Sequence, residues 1–214
     1  MYIETIDLLR CVNPHDDTWL VASFREIANR FVIDGTLGCP NCSAEYEIRN
    51  GVADFTLGES IHFREEERAA ASHQCEQLAT RVGAFLDATQ PGATIVLGGL
   101  WAYAAEELAE MADVRVIGLN APSEVTEFEK VGLVRVGERI PLAANSVQGI
   151  ALDAWFPEAT VEEALRVVKP GGRMVGPVAF GAPSQSVVLA HDENYWVAEK
   201  PAEVIALRRA KLSQ

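Results

Sequence analysis

The hydrophobic positions of the first 57 residues come in short runs separated by turn-forming residues. This pattern predicts short β-strands, because alternating and β-branched segments suit a pleated sheet. The predicted strands, with the turns that follow two of them, are Trp19–Phe24, Arg30–Ile33 before Asp34-Gly35, and Tyr46–Ile48 before Asn50-Gly51. The N-terminal part is therefore expected to be a small β-rich unit.

After residue 58 the pattern changes to helices and continuous apolar strands. From about Ser60 to Ala88 the sequence is rich in Ala, Glu and Arg and predicts one long helix. Buried-strand patterns then alternate with helical patterns as far as Phe180, which predicts a mostly parallel sheet covered on both faces. Segments 186–192 and 195–200 predict an antiparallel hairpin at the end of this sheet. The expected α/β architecture has three parts: a β-rich domain over 1–58, a linking helix over 59–90 and an α/β domain over 91–214.

Composition narrows the class of protein. The chain has 214 residues, 49% of them hydrophobic, and a formal net charge of −13. No apolar run approaches the roughly 20 residues of a membrane span, and the N-terminal segment is too short and polar for a signal peptide. A cytoplasmic protein without a membrane partner is expected. The negative charge counts against nucleic-acid binding, which needs clustered Lys and Arg.

Paired cysteines suggest a metal site. Cys39 and Cys42 form a CxxC pair, whose spacing lets two thiolates from one turn bind the same ion. Cys11 is the obvious third ligand. A second CxxC pair would place the fourth ligand at position 14, but Pro14 stands there and His15 follows. Three interpretations stay open: His15 completes a zinc site, zinc binds weakly, or the thiols are metal-free and packed as small apolar groups.

The sequence around these cysteines resembles a zinc-ribbon family. LLRC, CPNC and YEIRNGVADF are similar to segments of the activator subunit of eukaryotic tRNA and protein methyltransferases and of its small bacterial relatives. Tyr46, Ile48, Arg49 and Gly51 fit the end of the family pattern, whereas the second cysteine of the first pair is missing. The resemblance implies a ribbon that covers an apolar face of a methyltransferase, here as an intramolecular contact.

Residues from about 60 to 200 resemble S-adenosylmethionine-dependent methyltransferases of the doubly wound, Rossmann-like type. The resemblance is carried by ALRVVKPGGRMV at 164–175 and IPLAANSVQGIALDAW at 140–155. It implies a Gly-x-Gly-x-Gly cofactor turn, which aligns with Gly98, Leu100 and Ala102. Only the first glycine of that turn remains.

The resemblance implies a cofactor site at Gly98, Gly99, Trp101 and Asn120. Gly99 offers a permissive turn, and Asn120 stands where an acid would hold the ribose hydroxyls. Trp101 lies in the loop that the cofactor would contact. If the Trp101 side chain occupies the crevice, the chain cannot be a methyltransferase. If the side chain points elsewhere, methyltransferase activity stays open.

Two hypotheses on function follow. The favoured one is a non-catalytic binding or regulatory module with an eroded S-adenosylmethionine site, whose partner is another protein bound through the ribbon or the open crevice. The alternative is an active S-adenosylmethionine-dependent methyltransferase with a fused activator-type ribbon. A weaker third is a crevice in which Trp101 stacks on another ligand's aromatic base. No catalytic residue is assigned, and Asp153 is expected to be a cap or surface acid rather than a substrate group.

Overall fold

The computed structural model describes residues 1–58, 75–126 and 128–202. The strands within these ranges are β1 (Val21–Ala28), β2 (Phe31–Gly38), β3 (Glu45–Arg49), β4 (Val52–Phe55), β5 (Thr94–Gly98), β6 (Arg115–Leu119), β7 (Val131–Val136), β8 (Val147–Ala151), β9 (Val168–Pro177), β10 (Val187–His191) and β11 (Tyr195–Glu199). The helices are α1 (Cys75–Leu86), α2 (Ala105–Ala112) and α3 (Glu158–Val167), with 3₁₀ turns at Ile3–Leu8 and Gly99–Ala104.

All described strands belong to one sheet in the order β1-β2-β3-β4-β7-β6-β5-β8-β9-β11-β10. Five neighbouring pairs are parallel and five are antiparallel. The sheet as a whole is therefore mixed, whereas its centre β7-β6-β5-β8-β9 is parallel, as predicted for the α/β part. The difference arises because the N-terminal strands join the same sheet. The predicted hairpin at the C-terminal end is confirmed as β10 and β11.

The N-terminal strands continue the central sheet. β1 to β4 form an antiparallel meander, and β4 pairs in parallel with β7, with Val52 opposite Leu133. Apolar side chains of the meander, among them Leu37 and Ile48, join one hydrophobic cluster with Val134 of β7. The meander thus shares a core with the α/β part, and the boundaries at residues 58 and 90 remain a prediction.

One predicted turn is wrong. Asp34 and Gly35 lie inside β2, and the chain reverses at Asn29, which has a φ of 55°. A Cβ at position 35 would lie 2.8 Å from the carbonyl oxygen of Ser23 on the neighbouring strand. Gly35 is therefore needed for the close approach of two strands at a β-bulge rather than for a turn.

The described helices cover both faces of the parallel centre. Val82 and Leu86 of α1 are fully buried and pack in the cluster that also holds Leu108 of α2. Val161 of α3 belongs to the cluster on the opposite face. The predicted long helix is described only over Cys75–Leu86, and its residues 60–74 lie outside the described part. None of the described helices has the length and apolar character needed to cross a membrane.

Candidate metal centre and cofactor crevice

Two loops bring the four metal-ligand candidates together. Cys11 and His15 precede β1, whereas Cys39 and Cys42 form a knuckle just after β2. In the knuckle the amide of Ser43 donates to the carbonyl oxygen of Cys39 at 2.9 Å. The Sγ atoms of the three cysteines and one ring nitrogen of His15 all lie within 4.8 Å of one another.

The separations within this cluster match a tetrahedral zinc site. A zinc ion with Zn–S bonds of about 2.3 Å and Zn–N bonds of about 2.0 Å keeps neighbouring sulfurs about 3.8 Å apart, and sulfur and nitrogen about 3.5 Å apart. The two Sγ atoms of Cys11 and Cys42 are 3.6 Å apart. Nε2 of His15 lies 3.2 Å from Sγ of Cys11 and 3.5 Å from Sγ of Cys39. The donor set therefore fits zinc in both chemistry and spacing.

Outer contacts orient two of these ligands. Nδ1 of His15 lies 2.8 Å from the carbonyl oxygen of Asp16, and a carbonyl only accepts, so Nδ1 carries the proton and Nε2 keeps its lone pair for a metal. Tyr46 is buried and its hydroxyl accepts from the amide of Val12 at 3.3 Å. That hydroxyl in turn lies 3.1 Å from Sγ of Cys11, and it is the donor when Cys11 is a thiolate, because a thiolate only accepts. The role of Tyr46 was not predicted from the sequence, where it was only a motif position.

The electrostatics of the thiols differ. The amide of Ala44 and the side-chain amide of Asn13, which lies 3.3 Å from Sγ, lower the pKa of Cys42 to about 6. Burial raises the pKa of the Cys11 thiol. The carbonyl oxygen of Asp16 raises the pKa of His15. Cys42 thus ionises more readily than Cys11, whose burial disfavours the thiolate until a cation or another donor stabilises it.

The second candidate site lies where the strand order changes direction. The chain proceeds from β5 to β6 and β7 on one side and then returns to β8 on the other side of β5. In open α/β sheets a ligand crevice forms outside the carboxyl ends of the strands at such a switch point. The 3₁₀ turn Gly99–Ala104 follows β5 here, and Asp153 follows β8.

Side chains of the loop after β8 pack closely against the glycine turn after β5. A Cβ at Gly98 would lie 2.6 Å from Leu152 and from Phe156. A Cβ at Gly99, whose φ is +62°, would lie 2.2 Å from Oδ2 of Asp153. Asp153 is only 2% exposed, and its carboxylate accepts from the amide of Leu100 at 2.6 Å and from that of Trp155 at 3.0 Å. The expectation of a surface acid is therefore wrong, because Asp153 is a buried acceptor for the glycine turn.

Trp101 does not lie in the crevice. Its side chain is 2% exposed and belongs to the cluster between α1, α2 and the sheet. The ring packs against Tyr195 of β11, with centroids 4.9 Å apart. Its indole nitrogen is buried and has no hydrogen-bond partner among the residues that the structure describes. The indole is thus a core side chain in this structure.

Asn120 has both ends of its side-chain amide engaged. Nδ2 donates to the carbonyl oxygen of Val136 at 2.9 Å, and Oδ1 accepts from the amide of Val136 at 2.8 Å. The backbone of Asn120 adopts a φ of 47°, a left-handed conformation that Asn tolerates. The side chain therefore extends the contact between β6 and β7 at their carboxyl ends.

Two further polar side chains and one cavity lie near the elements of these sites. The hydroxyl of Tyr103 donates to Oε2 of Glu124 at 3.2 Å. Cys75 is the first described residue of α1 and is not a member of the Cys/His cluster. A cavity of about 470 Å³ lies beside β4 and β7 and is lined by Val52, Pro122, Leu133, Arg135 and six neighbours, none of them from the turn after β5.

Comparisons with known proteins give partial structural likenesses. No family model matches the chain, and no curated protein matches it in sequence. The chain is similar to a structure of the complex between the Trm112 methyltransferase activator of Haloferax volcanii and a methyltransferase, at 23% identity and a TM-score of 0.40. That match covers 55% of this chain and 62% of the other.

Two further structures show the same kind of likeness. One is named as a sarcosine dimethylglycine methyltransferase of Galdieria sulphuraria, with 24% identity, a TM-score of 0.40, and 56% and 55% of the two chains covered. The other is named as an S-adenosyl-L-methionine-dependent methyltransferase of Methanococcus maripaludis, with 13% identity, a TM-score of 0.47, and 69% and 100% covered. The chain thus spans little more than half the length of the first two. All three TM-scores lie below 0.5.

Proposed function

We propose that the chain is a non-catalytic, methyltransferase-like binding module in which a zinc-bearing meander is built into the sheet. The observation that carries this proposal is the close packing of the loop after β8 onto the glycine turn after β5. Leu152 and Phe156 pack onto Gly98, and the carboxylate of Asp153 packs onto Gly99. A cofactor would have to displace a buried, doubly hydrogen-bonded carboxylate to reach the glycine turn.

The residues expected to hold the cofactor support this proposal. Asn120 uses one of its N–H donors and one oxygen lone pair on Val136, and these two bonds hold its amide against β7. The amide of Leu100, which could otherwise bind an anion, already donates to Asp153. A ligand that displaced these contacts would gain little binding free energy, because each protein group would first lose a hydrogen bond worth roughly 1–3 kcal/mol.

Zinc has a structural role in this proposal. Cys11, His15, Cys39 and Cys42 would supply all four ligands, and a site with four protein ligands leaves no open position for a substrate or for water. The ion would tie the loop before β1 to the knuckle after β2. Because β4 of the same meander pairs with β7, the ion would stabilise the part of the sheet that joins the meander to the α/β strands.

Calorimetric titration of S-adenosylhomocysteine into the full chain tests the proposal. We expect no heat of binding up to about millimolar ligand, which corresponds to a binding free energy weaker than about −4 kcal/mol. An active methyltransferase titrated in the same buffer is the positive control. Micromolar binding by this chain would refute the proposal and show that the loop after β8 opens in solution.

The second candidate is an active S-adenosylmethionine-dependent methyltransferase. The position of Trp101 favours it, because the bulky ring packs against Tyr195 instead of occupying the crevice. For this function Asp153 and Phe156 would have to move aside when the cofactor binds. The titration above separates the two candidates, because the enzyme requires cofactor binding and the binding module does not.

A further inference from the structure

The three thiols of the Cys/His cluster differ in their access to solvent. Cys39 is 3% exposed and Cys11 is 9% exposed, whereas Cys42 is an exposed residue at the tip of its knuckle. A dissolved oxidant therefore reaches the sulfur of Cys42 first. The side-chain amide of Asn13 donates to that sulfur at 3.3 Å and holds it in place.

The neighbour of this exposed sulfur is another thiol from a different loop. Sγ of Cys11 lies 3.6 Å from Sγ of Cys42, and a disulfide bond needs about 2.05 Å. An approach of roughly 1.5 Å between two loop residues would thus form the bond. Cys39, the other half of the CxxC pair, has its sulfur 3.5 Å from Nε2 of His15.

We propose that Cys42 is an oxidant-sensing modification site and that Cys11 is its resolving thiol, so that a peroxide converts the zinc-bound cluster into a zinc-free disulfide form. This inference rests on the proposed zinc site, whose regulation it describes. Once Cys11 and Cys42 are joined in a disulfide, only Cys39 and His15 remain as ligands. Two ligands do not hold zinc as a closed four-ligand site does, and the ion is released.

The chemistry balances in two steps. The thiolate of Cys42 attacks one oxygen of hydrogen peroxide, the O–O bond breaks, and with one proton the products are a sulfenic acid and water. The thiolate of Cys11 then attacks the sulfur of that sulfenic acid, the S–O bond breaks, and with a second proton a second water leaves. Two thiolates are oxidised by two electrons, and one peroxide molecule is reduced.

The pairing across the two loops has a structural consequence. A bond between Cys11 and Cys42 joins the same two segments that zinc would join, namely the loop before β1 and the knuckle after β2. The meander therefore stays linked in the oxidised form. A bond between Cys39 and Cys42 would lie within one knuckle and leave the loop of Cys11 and His15 untied.

The test uses the full zinc-loaded chain, with the zinc content measured first by elemental analysis. The chain is treated with one to five equivalents of hydrogen peroxide. Released zinc is followed with a colorimetric chelator, and disulfides are mapped by mass spectrometry of alkylated, digested protein. We expect about one zinc released per chain, together with a Cys11–Cys42 link that dithiothreitol and added zinc reverse.

Variants separate the possible outcomes. Cys75→Ser changes a cysteine outside the cluster and should behave as wild type. Cys42→Ser should abolish the peroxide-dependent link. Since that variant also lacks a ligand, the order of alkylation in the wild-type chain gives a second readout: limiting iodoacetamide should label Cys42 at least tenfold faster than Cys39.

Two results would overturn this inference: a dominant Cys39–Cys42 link, or a zinc-loaded chain that resists peroxide. A chain that binds less than half an equivalent of zinc would instead refute the zinc site itself. In that event disulfide mapping of the zinc-free chain still decides between the Cys11–Cys42 pairing and the alternative.

Discussion

Replacing Gly99 by alanine tests whether the crevice is filled in solution. The new Cβ would lie 2.2 Å from Oδ2 and 2.5 Å from Oδ1 of Asp153, so the carboxylate must move. Moving it breaks the 2.6 Å hydrogen bond from the amide of Leu100. A hydrogen bond to a charged acceptor contributes about 1.5–3 kcal/mol. To this is added the strain of a φ of +62°, about 1 kcal/mol for alanine in place of glycine.

Gly92→Ala is the matched control. Gly92 has a φ of +74°, and a Cβ there meets nothing within 4 Å, so this variant carries the backbone strain without the clash. We expect Gly99→Ala to lower the free energy of unfolding by about 1.5–3 kcal/mol more than Gly92→Ala does. Urea unfolding followed by circular dichroism measures both. Equal losses would show that Asp153 does not fill the crevice, and the proposal of a non-catalytic module would lose its main support.

Three further predictions concern single side chains. Tyr46→Phe removes the hydroxyl that lies 3.1 Å from Sγ of Cys11. Zinc affinity, measured in competition with a chelator, should fall by about 10- to 100-fold. Unchanged affinity would contradict the view that Tyr46 orients the Cys11 thiolate. Trp196→Phe should lower stability in thermal unfolding by about 1–3 kcal/mol more than Trp101→Phe does. Nε1 of Trp196 donates to the carbonyl oxygens of Pro177 and Phe180, whereas Nε1 of Trp101 has no partner within the described part of the chain. Backbone amides of Tyr195 and Asn194 lower the pKa of Asp192 below its ordinary 3.8, so the stability that its carboxylate contributes is present above that pH and is lost as the pH falls through the lower folded value. The difference in unfolding free energy between wild type and Asp192→Asn should therefore be below about 1 kcal/mol at pH 7 and should shrink on acidification. A difference that grows below pH 3 would refute this account.

Local sequence patterns predicted the elements and the composition of the metal cluster. The CxxC spacing put Cys39 and Cys42 on one turn, and the absence of a cysteine at position 14 directed attention to His15. The structure places these side chains and Cys11 within one 4.8 Å cluster. The CxxC turn and the choice of His15 could be predicted because the residues involved lie close in sequence. Cys11 could be predicted because the chain has few other thiols.

Long-range contacts could not be predicted in this way. The hydrogen bond from Leu100 to Asp153 spans 53 residues, and nothing in the spacing around either position indicates it. The parallel pairing of β4 with β7 likewise joins two segments about 80 residues apart. Periodicity shows which face of a strand is apolar but not which strand lies beside it. This is why the meander was expected as a separate unit.

Asn120 was expected as a weakened ribose contact, but its geometry favours another explanation. Val136 offers one amide donor and one carbonyl acceptor, and the side-chain amide of Asn120 matches both, at 2.8 and 2.9 Å. An aspartate accepts but does not donate. Asn120→Asp would therefore bring a carboxylate oxygen against the carbonyl oxygen of Val136, in a place that is only 7% exposed.

We expect Asn120→Asp to lower the free energy of unfolding at pH 7 by about 2–4 kcal/mol, because one hydrogen bond becomes a repulsion and a charge is buried. Asn120→Ala, which loses both bonds without adding charge, should cost less than Asn120→Asp at pH 7 and about the same at pH 3, where the acid can be protonated and donate. Urea unfolding at the two pH values measures this. If Asn120→Asp were instead neutral and conferred binding of S-adenosylhomocysteine, position 120 would be a cofactor contact that a single substitution had weakened. The asparagine would then be a relic of catalysis rather than a requirement of the junction between β6 and β7.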